Sequence, residues 1–246
     1  MRGANPSRIA LSRLQLTPMR LLARFILSGL VAGHMAAAAE AQTRDDDSLR
    51  IYAVNIVKTP PFQMHFTGYG IYLGDGMVIT AAHVVGQWPL LTRPRILIGG
   101  QDLPAKVVKE GSFDAVDLAL LSIDAAQLPV SLRLRRNPLC KGTPKVGTAV
   151  IDVVPDGTSR AQTISALLIS PALQRRFNTL INTPEGSGSG LFDAEQKCFL
   201  GVVSAKLRTI GYRMTDGHIV ATPSGFAGYY VPASKIAAFV PQGFRF

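Results

Sequence analysis

The chain has 246 residues, 47% of them hydrophobic and 17% charged, with 26 Lys and Arg against 16 Asp and Glu and a formal charge of +10. That length holds one or two domains, and that apolar content excludes general intrinsic disorder. The glycines and prolines follow no fixed period, which excludes collagen-like chains, and two cysteines are too few for a disulfide scaffold or a four-cysteine zinc site.

The N-terminus reads as an export signal over residues 1–41. Arg2, Arg8, Arg13, Arg20 and Arg24 form a basic region without an acid, the apolar run Phe25 to Ala39 follows, and Ala39-Glu40-Ala41 gives a small-x-small cleavage site. The run is shorter than the roughly 20 residues a membrane span needs. The reading predicts a mature N-terminus at Gln42, a periplasmic or secreted protein, and no stable membrane span after cleavage. The alternative is a retained N-terminal anchor. Met19 is a second candidate start, because Met19 to Arg24 already supplies a basic region. Cleavage would remove five arginines and Glu40, lowering the net charge from +10 to +6. Asp45-Asp46-Asp47 then reads as a solvated linker.

The rest reads as short strands separated by turn signals. Ile51 to Val57 is apolar and β-branched, and Gly74-Asp75-Gly76 sits between the strands Gly68 to Leu73 and Met77 to Ala81 as a hairpin turn. Arg95 to Ile98, Lys106 to Val108 and Leu118 to Ile123 follow, then Gly147 to Val154, Ala161 to Ile169, Thr179 to Asn182, Phe199 to Ala205 and Gly228 to Val231. Ile236, Phe239 and Val240 fall at helical spacing before Pro241, predicting a short C-terminal helix. The pattern predicts an all-β sandwich or barrel. Arg133, Arg135 and Arg136, and Arg175 with Arg176, lack interleaved aromatics and read as solvated strand faces, so no nucleic-acid partner is expected. No cofactor is expected: Gly68-Tyr-Gly70-Ile-Tyr-Leu-Gly74 is not followed by a helical pattern, and His34, His65, His83 and His218 lack metal-ligand spacing.

Three segments carry chemistry together. Val78-Ile79-Thr80-Ala81-Ala82-His83 runs an apolar strand into a histidine flanked by small residues, which give a mobile base close support and free space; a lone His there also suits a buried strand end. Asp117 opens the apolar strand Leu118 to Ile123, and a buried carboxylate there needs a partner such as an imidazole N–H; it equally suits a turn cap, and Asp114 competes with it. Pro184-Glu185-Gly186-Ser187-Gly188-Ser189-Gly190-Leu191 places a serine between glycines on a sharply bent backbone, tethered between apolar strands.

These segments resemble the chymotrypsin-like (trypsin-like) serine proteases of the exported bacterial type. Thr80 to His83 matches the family's Thr-Ala-Ala-His, Asp117 to Leu121 its Asp-(Leu/Ile)-Ala-Leu-Leu, and Ser187 to Leu191 its nucleophile motif, in the family order His, Asp, Ser. The resemblance spans roughly residues 51–240. It implies an all-β fold of two packed antiparallel β-barrels with a short C-terminal helix, residues 42–135 forming the first and 136–246 the second, joined near Asn137-Pro138. It further implies a serine endopeptidase with a polypeptide substrate, in which Ser187 is the nucleophile, His83 the base and Asp117 its orienting partner. The backbone N–H groups of Glu185 and Ser187 would form the oxyanion hole, and Ile181 and Ser204 would line the primary substrate pocket. An apolar Ile181 predicts cleavage after small or apolar residues. Glu185 stands where the family has Gly, and Gly186 where it has Asp or Asn; Ser189 is the rival nucleophile. A catalytically weak peptide-binding homologue is therefore the alternative function. Cys140 and Cys198 are expected to form a disulfide in an oxidising compartment, or else to remain two buried thiols.

Overall fold

The computed structural model describes residues 45–58, 65–86, 94–215 and 218–246. The expected export signal lies outside them.

The first half forms seven strands: β1 (Ala53–Lys58), β2 (His65–Gly74), β3 (Met77–Thr80), β4 (Pro94–Ile98), β5 (Gln101–Pro104), β6 (Lys106–Ser112) and β7 (Val116–Ser122). They pair antiparallel in the order β5-β4-β1-β2-β3-β7-β6. The two edge strands are separated by Ala105 alone, whose N–H donates to the Pro94 carbonyl at 2.9 Å. One bent strand thus pairs with β4 at one end and β7 at the other, and it curls the sheet into a barrel. In β4, Pro94, Ile96 and Ile98 are buried and alternate with half-buried Arg95 and Leu97, as a one-faced strand requires. The β2–β3 turn is Asp75-Gly76, with φ of 49° and 73°. Two central residues at positive φ make the type I′ turn that matches strand twist, and Asp75 is ion-paired with Arg136.

The second half closes β8 (Ala149–Val154), β9 (Gly157–Ile164), β10 (Leu180–Ile181), β11 (Gly190–Asp193), β12 (Phe199–Thr215) and β13 (His218–Pro232) into a barrel in the order β10-β13-β12-β11-β8-β9. Val150, Ala161, Ile181, Leu191, Leu200, Val203 and Tyr230 form one of its buried clusters. A larger cluster runs from the first sheet into the second and contains Ile71, Leu120, Ile151, Val153, Phe192 and Val202. The helix Ala233–Phe239 adds Ile236 and Phe239 to it.

The segment between the barrels is held at several points. Asn137 is buried and donates through Nδ2 to the Tyr72 carbonyl at 2.7 Å. Leu139 bridges Phe199, and Cys140 and Cys198 are disulfide-bonded with Cα atoms 5.0 Å apart.

Several local expectations are corrected. Asp46 is not in a solvated linker: it is 3% exposed and ion-paired with Arg160 at 2.6 Å and Lys197 at 2.5 Å. The strand expected over Ala161 to Ile169 begins at Gly157 and stops at Ile164, because Ser165 accepts from the Leu167 N–H and turns the chain into a 3₁₀ segment. Arg136 and Arg176 do not lie on strand faces; each reaches an acid and a backbone carbonyl. The strands after Phe199 and before Val231 extend far beyond their buried bases into a ribbon whose last pair is Thr215 with His218.

Candidate active site

β3 delivers His83. Val78 to Ala81 are buried, and the chain then enters the four-residue helix Ala82–Val85, which ends at Gly86 with φ of 64°. Ala81 and Ala82 leave room for the imidazole, whose side chain is 39% exposed. Beside it, β7 places Asp117, whose side chain is 2% exposed.

The carboxylate holds the histidine twice. His83 Nδ1 lies 2.7 Å from Asp117 Oδ2, and the His83 backbone N–H donates to Oδ1 at 3.0 Å. Ser204 Oγ also donates to Oδ2, at 2.5 Å. Burial pushes the Asp117 pKa up, but the imidazole, the Ser204 hydroxyl and the His83 N–H outweigh it and hold the pKa below the ordinary carboxylate value. An ionised carboxylate only accepts hydrogen bonds, so Nδ1 carries the proton and Nε2 is the basic nitrogen. Asp114 is highly exposed, pairs with Arg176 at 3.2 Å, and so does not serve His83.

The serine-bearing turn lies between β10 and β11 and is pinned to the first barrel. The Tyr69 N–H donates to the Ser187 carbonyl at 3.0 Å. Gly188 has φ of 88°, and a Cβ there would sit 1.9 Å from the Tyr69 carbonyl oxygen, so only glycine fits. A Cβ at Gly186 would meet the Tyr69 ring at 2.9 Å, so a side chain there would force the ring to move. Ser187 is half-buried, and its hydroxyl donates to the Ser204 carbonyl at 3.3 Å. Ser189 is fully buried, out of reach of a substrate. Ser204 thus touches both halves of the site, its hydroxyl on Asp117 and its carbonyl on Ser187; the β12 bulge between Val203 and Ala205 contains it.

Glu185 is exposed, but its N–H donates inward to Asp152 Oδ2 at 2.8 Å. Asp152, in the middle of β8, is completely buried. Burial pushes its pKa up to about 6, against the lowering effect of the Glu185 N–H and the nearby Ser189 hydroxyl. Asp152 Oδ1, Ser159 Oγ and Ser189 Oγ have no hydrogen-bond partner among the described residues. Ile181 is fully buried in the second barrel's apolar cluster, and Pro184 packs on Gly228 beside it.

Sequence reading missed Tyr69, Asp152 and an aromatic wall. Phe113 meets the His83 ring edge-on with centroids 6.2 Å apart. Arg176 lies over Phe113 at 4.6 Å and Phe177 at 4.9 Å, and Phe177 packs against Tyr229. A hollow of about 140 Å³ opens beside His83, between Ala82, Glu110, Ser112 and Phe113. A lone acid in the apolar run Ala149-Val-Ile-Asp-Val-Val154 was the readable signal for Asp152. Among the described residues, no helix is long and apolar enough to cross a membrane, and no three His, Cys, Asp or Glu side chains gather as a metal site.

No sequence-family model and no curated protein matches the chain. Solved structures do. The Rv3671c protease of M. tuberculosis, in its inactive form, aligns with a TM-score of 0.52 at 20% identity over 80% of this chain and 91% of that one. The serine endoprotease of Yersinia pestis aligns at 0.51 and 21% identity over 80% of this chain, which spans 64% of that protein's structure. Kallikrein-related peptidase 10 aligns at 0.51 and 17% identity, over 76% of this chain and 91% of that one. The two barrels and the C-terminal helix thus have the chymotrypsin-like β fold in which these serine proteases are built.

Proposed function

We propose that this protein is an exported serine endopeptidase that hydrolyses peptide bonds through Ser187, His83 and Asp117. The observation that carries the reading is the chain of hydrogen bonds from Ser204 through the buried Asp117 carboxylate to His83 Nδ1, which fixes the imidazole tautomer next to the serine turn. With Nδ1 held by Asp117, Nε2 is the nitrogen left to take a proton from a nucleophile.

In this reading the Ser187 hydroxyl rotates from the Ser204 carbonyl toward His83. It attacks the substrate carbonyl carbon as Nε2 takes its proton. The C–N bond then breaks, His83 returns the proton to the leaving amine, and Ser187 keeps the acyl group until water, deprotonated by His83, releases the acid. Asp117 remains ionised and stabilises the imidazolium. The Ser187 and Glu185 N–H groups receive the oxyanion, the latter after leaving Asp152. Export rests on the N-terminal segment and accords with the disulfide.

A serine-directed phosphonate tests this. Labelling of Ser187 that vanishes in Ser187→Ala and His83→Ala is expected; labelling that survives in Ser187→Ala overturns the assignment. A weak, peptide-binding homologue is the second reading, favoured by the inward Glu185 N–H. The resemblance puts Ile181 at the pocket position, and with no acid there we expect cleavage after small or apolar residues even though the Ile181 side chain itself is buried in the barrel; a peptide-library profile dominated by Lys and Arg would refute that.

A further inference from the structure

We propose that Asp152 is a latch on the oxyanion site: its carboxylate holds the Glu185 N–H inside the second barrel, and the site becomes competent when that amide turns outward. The inference rests on the proteolytic reading and adds a positioning residue to it.

The geometry sets up a competition for one donor. Glu185 N–H lies 2.8 Å from Asp152 Oδ2, and a hydrogen bond to a carboxylate is roughly twice as strong as one to a neutral acceptor. The neutral carbonyl of a bound substrate therefore competes poorly, whereas the negative oxygen of the tetrahedral intermediate competes well. Asp152 in turn resists losing this partner, because a buried carboxylate deprived of its donor is costly.

The groups around Asp152 fit a releasable contact. Register places Ser159 of β9 and Leu191 of β11 directly across from it, and Ser189 lies close by on the serine turn. The buried Ser159 hydroxyl has no partner among the described residues, and the buried Ser189 hydroxyl lies near enough to Asp152 to lower its pKa but makes no hydrogen bond of good geometry. Either hydroxyl can turn to Asp152 when the amide leaves. The charged and titratable groups facing it are Glu185, which raises its pKa, and the Tyr69 phenol, whose own pKa is pushed up by burial and then by Asp156, Glu185 and Asp152. Among the described residues no cation acts on the carboxylate, so taking up a proton near pH 6 is the other way to weaken its hold.

Two measurements test the latch together. In the Ser187→Ala protein, the Glu185 amide proton should titrate with a midpoint near 6 in ¹H–¹⁵N spectra and shift upfield in the additional Asp152→Asn variant. In chains that retain Ser187, Asp152→Asn and Asp152→Leu should raise the rate of phosphonate labelling at pH 7.5 by about tenfold or more, within the roughly 10²–10³-fold that one oxyanion donor is worth. With a peptide substrate, the gain should appear in kcat with KM unchanged. Ser159→Ala alters the same level of the barrel without removing the acceptor and should not activate; equal activation would mean general loosening and would overturn the latch. A Glu185 amide that ignores Asp152→Asn overturns it too, as does labelling that falls in both Asp152 variants. Labelling absent from every variant, with the amide response intact, upholds the hold of Asp152 on the amide and overturns the proteolytic reading instead.

Discussion

Two buried carboxylates in this molecule behave oppositely, and their partners explain why. Asp117 has three donors and is held below the ordinary carboxylate pKa; Asp152 has one oxygen without a partner and is pushed up to about 6 from 3.8. A lowered folded pKa stabilises the fold above the unfolded value, and that contribution is lost as pH falls through the folded value. A raised one works in reverse: stability is present below pH 3.8 and is lost as pH rises through about 6. A shift of this size corresponds to about 3 kcal/mol at neutral pH. Asp152→Leu should therefore gain stability over the parent by an amount that grows between pH 4 and 6 and then levels off, as urea unfolding at a series of pH values would measure. A difference that does not change with pH would contradict a charged Asp152. If the proposed reaction holds, Ser187→Ala and His83→Ala should each remove most of the activity, and the double variant should cost little more, because the two would act as one unit. Additive losses in kcat/KM would separate them.

At the scale of elements, the serine turn is shaped as much by β2 as by its own sequence. The Tyr69 ring occupies the space a side chain would need at Gly186. Gly186→Asp should thus destabilise the chain by roughly 1–3 kcal/mol through overpacking, and Tyr69→Ala in the same background should recover part of that in thermal melts. No recovery would mean that the turn, not the ring, demands glycine. Comparison with the sequence shows which features can be read without coordinates. His83, Asp117 and Ser187 stood out because they fall in short motifs that resemble those of the serine proteases. The buried base of β12 stood out as an apolar run, but its outer part did not. There Tyr212 and Met214 are exposed, as are Ile219 and Phe226 of the paired β13, so no buried face marks either strand by period two. Asp46 was misread because its partners Arg160 and Lys197 lie 114 and 151 residues away along the chain. Asp152 showed only as a lone acid in an apolar run, and its role was missed because its partner is a backbone N–H, which no residue type announces.

At the scale of the whole molecule, the Cys140–Cys198 disulfide ties the inter-barrel segment to the start of β12 across 58 residues. A loop of that length implies about 4 kcal/mol from restriction of the unfolded chain. Cys140→Ser with Cys198→Ser should lower stability by that order in urea unfolding, and reductant should do the same to the parent but not to the variant. An unchanged midpoint would show that the contacts at Asn137 and Leu139 already hold the segment. The seam between the barrels carries a different consequence. His83 and Asp117 belong to the first barrel, Ser187 and Ser204 to the second, and the Tyr69 N–H on the Ser187 carbonyl is one stitch between them. On the proposed reading, neither half owns a complete set of reacting groups. A chain emerging N-terminus first exposes a base and its carboxylate long before the serine that would use them. On the proposed reading, the protein is harmless to the machinery that makes and moves it, and becomes a protease only at the moment its two halves meet.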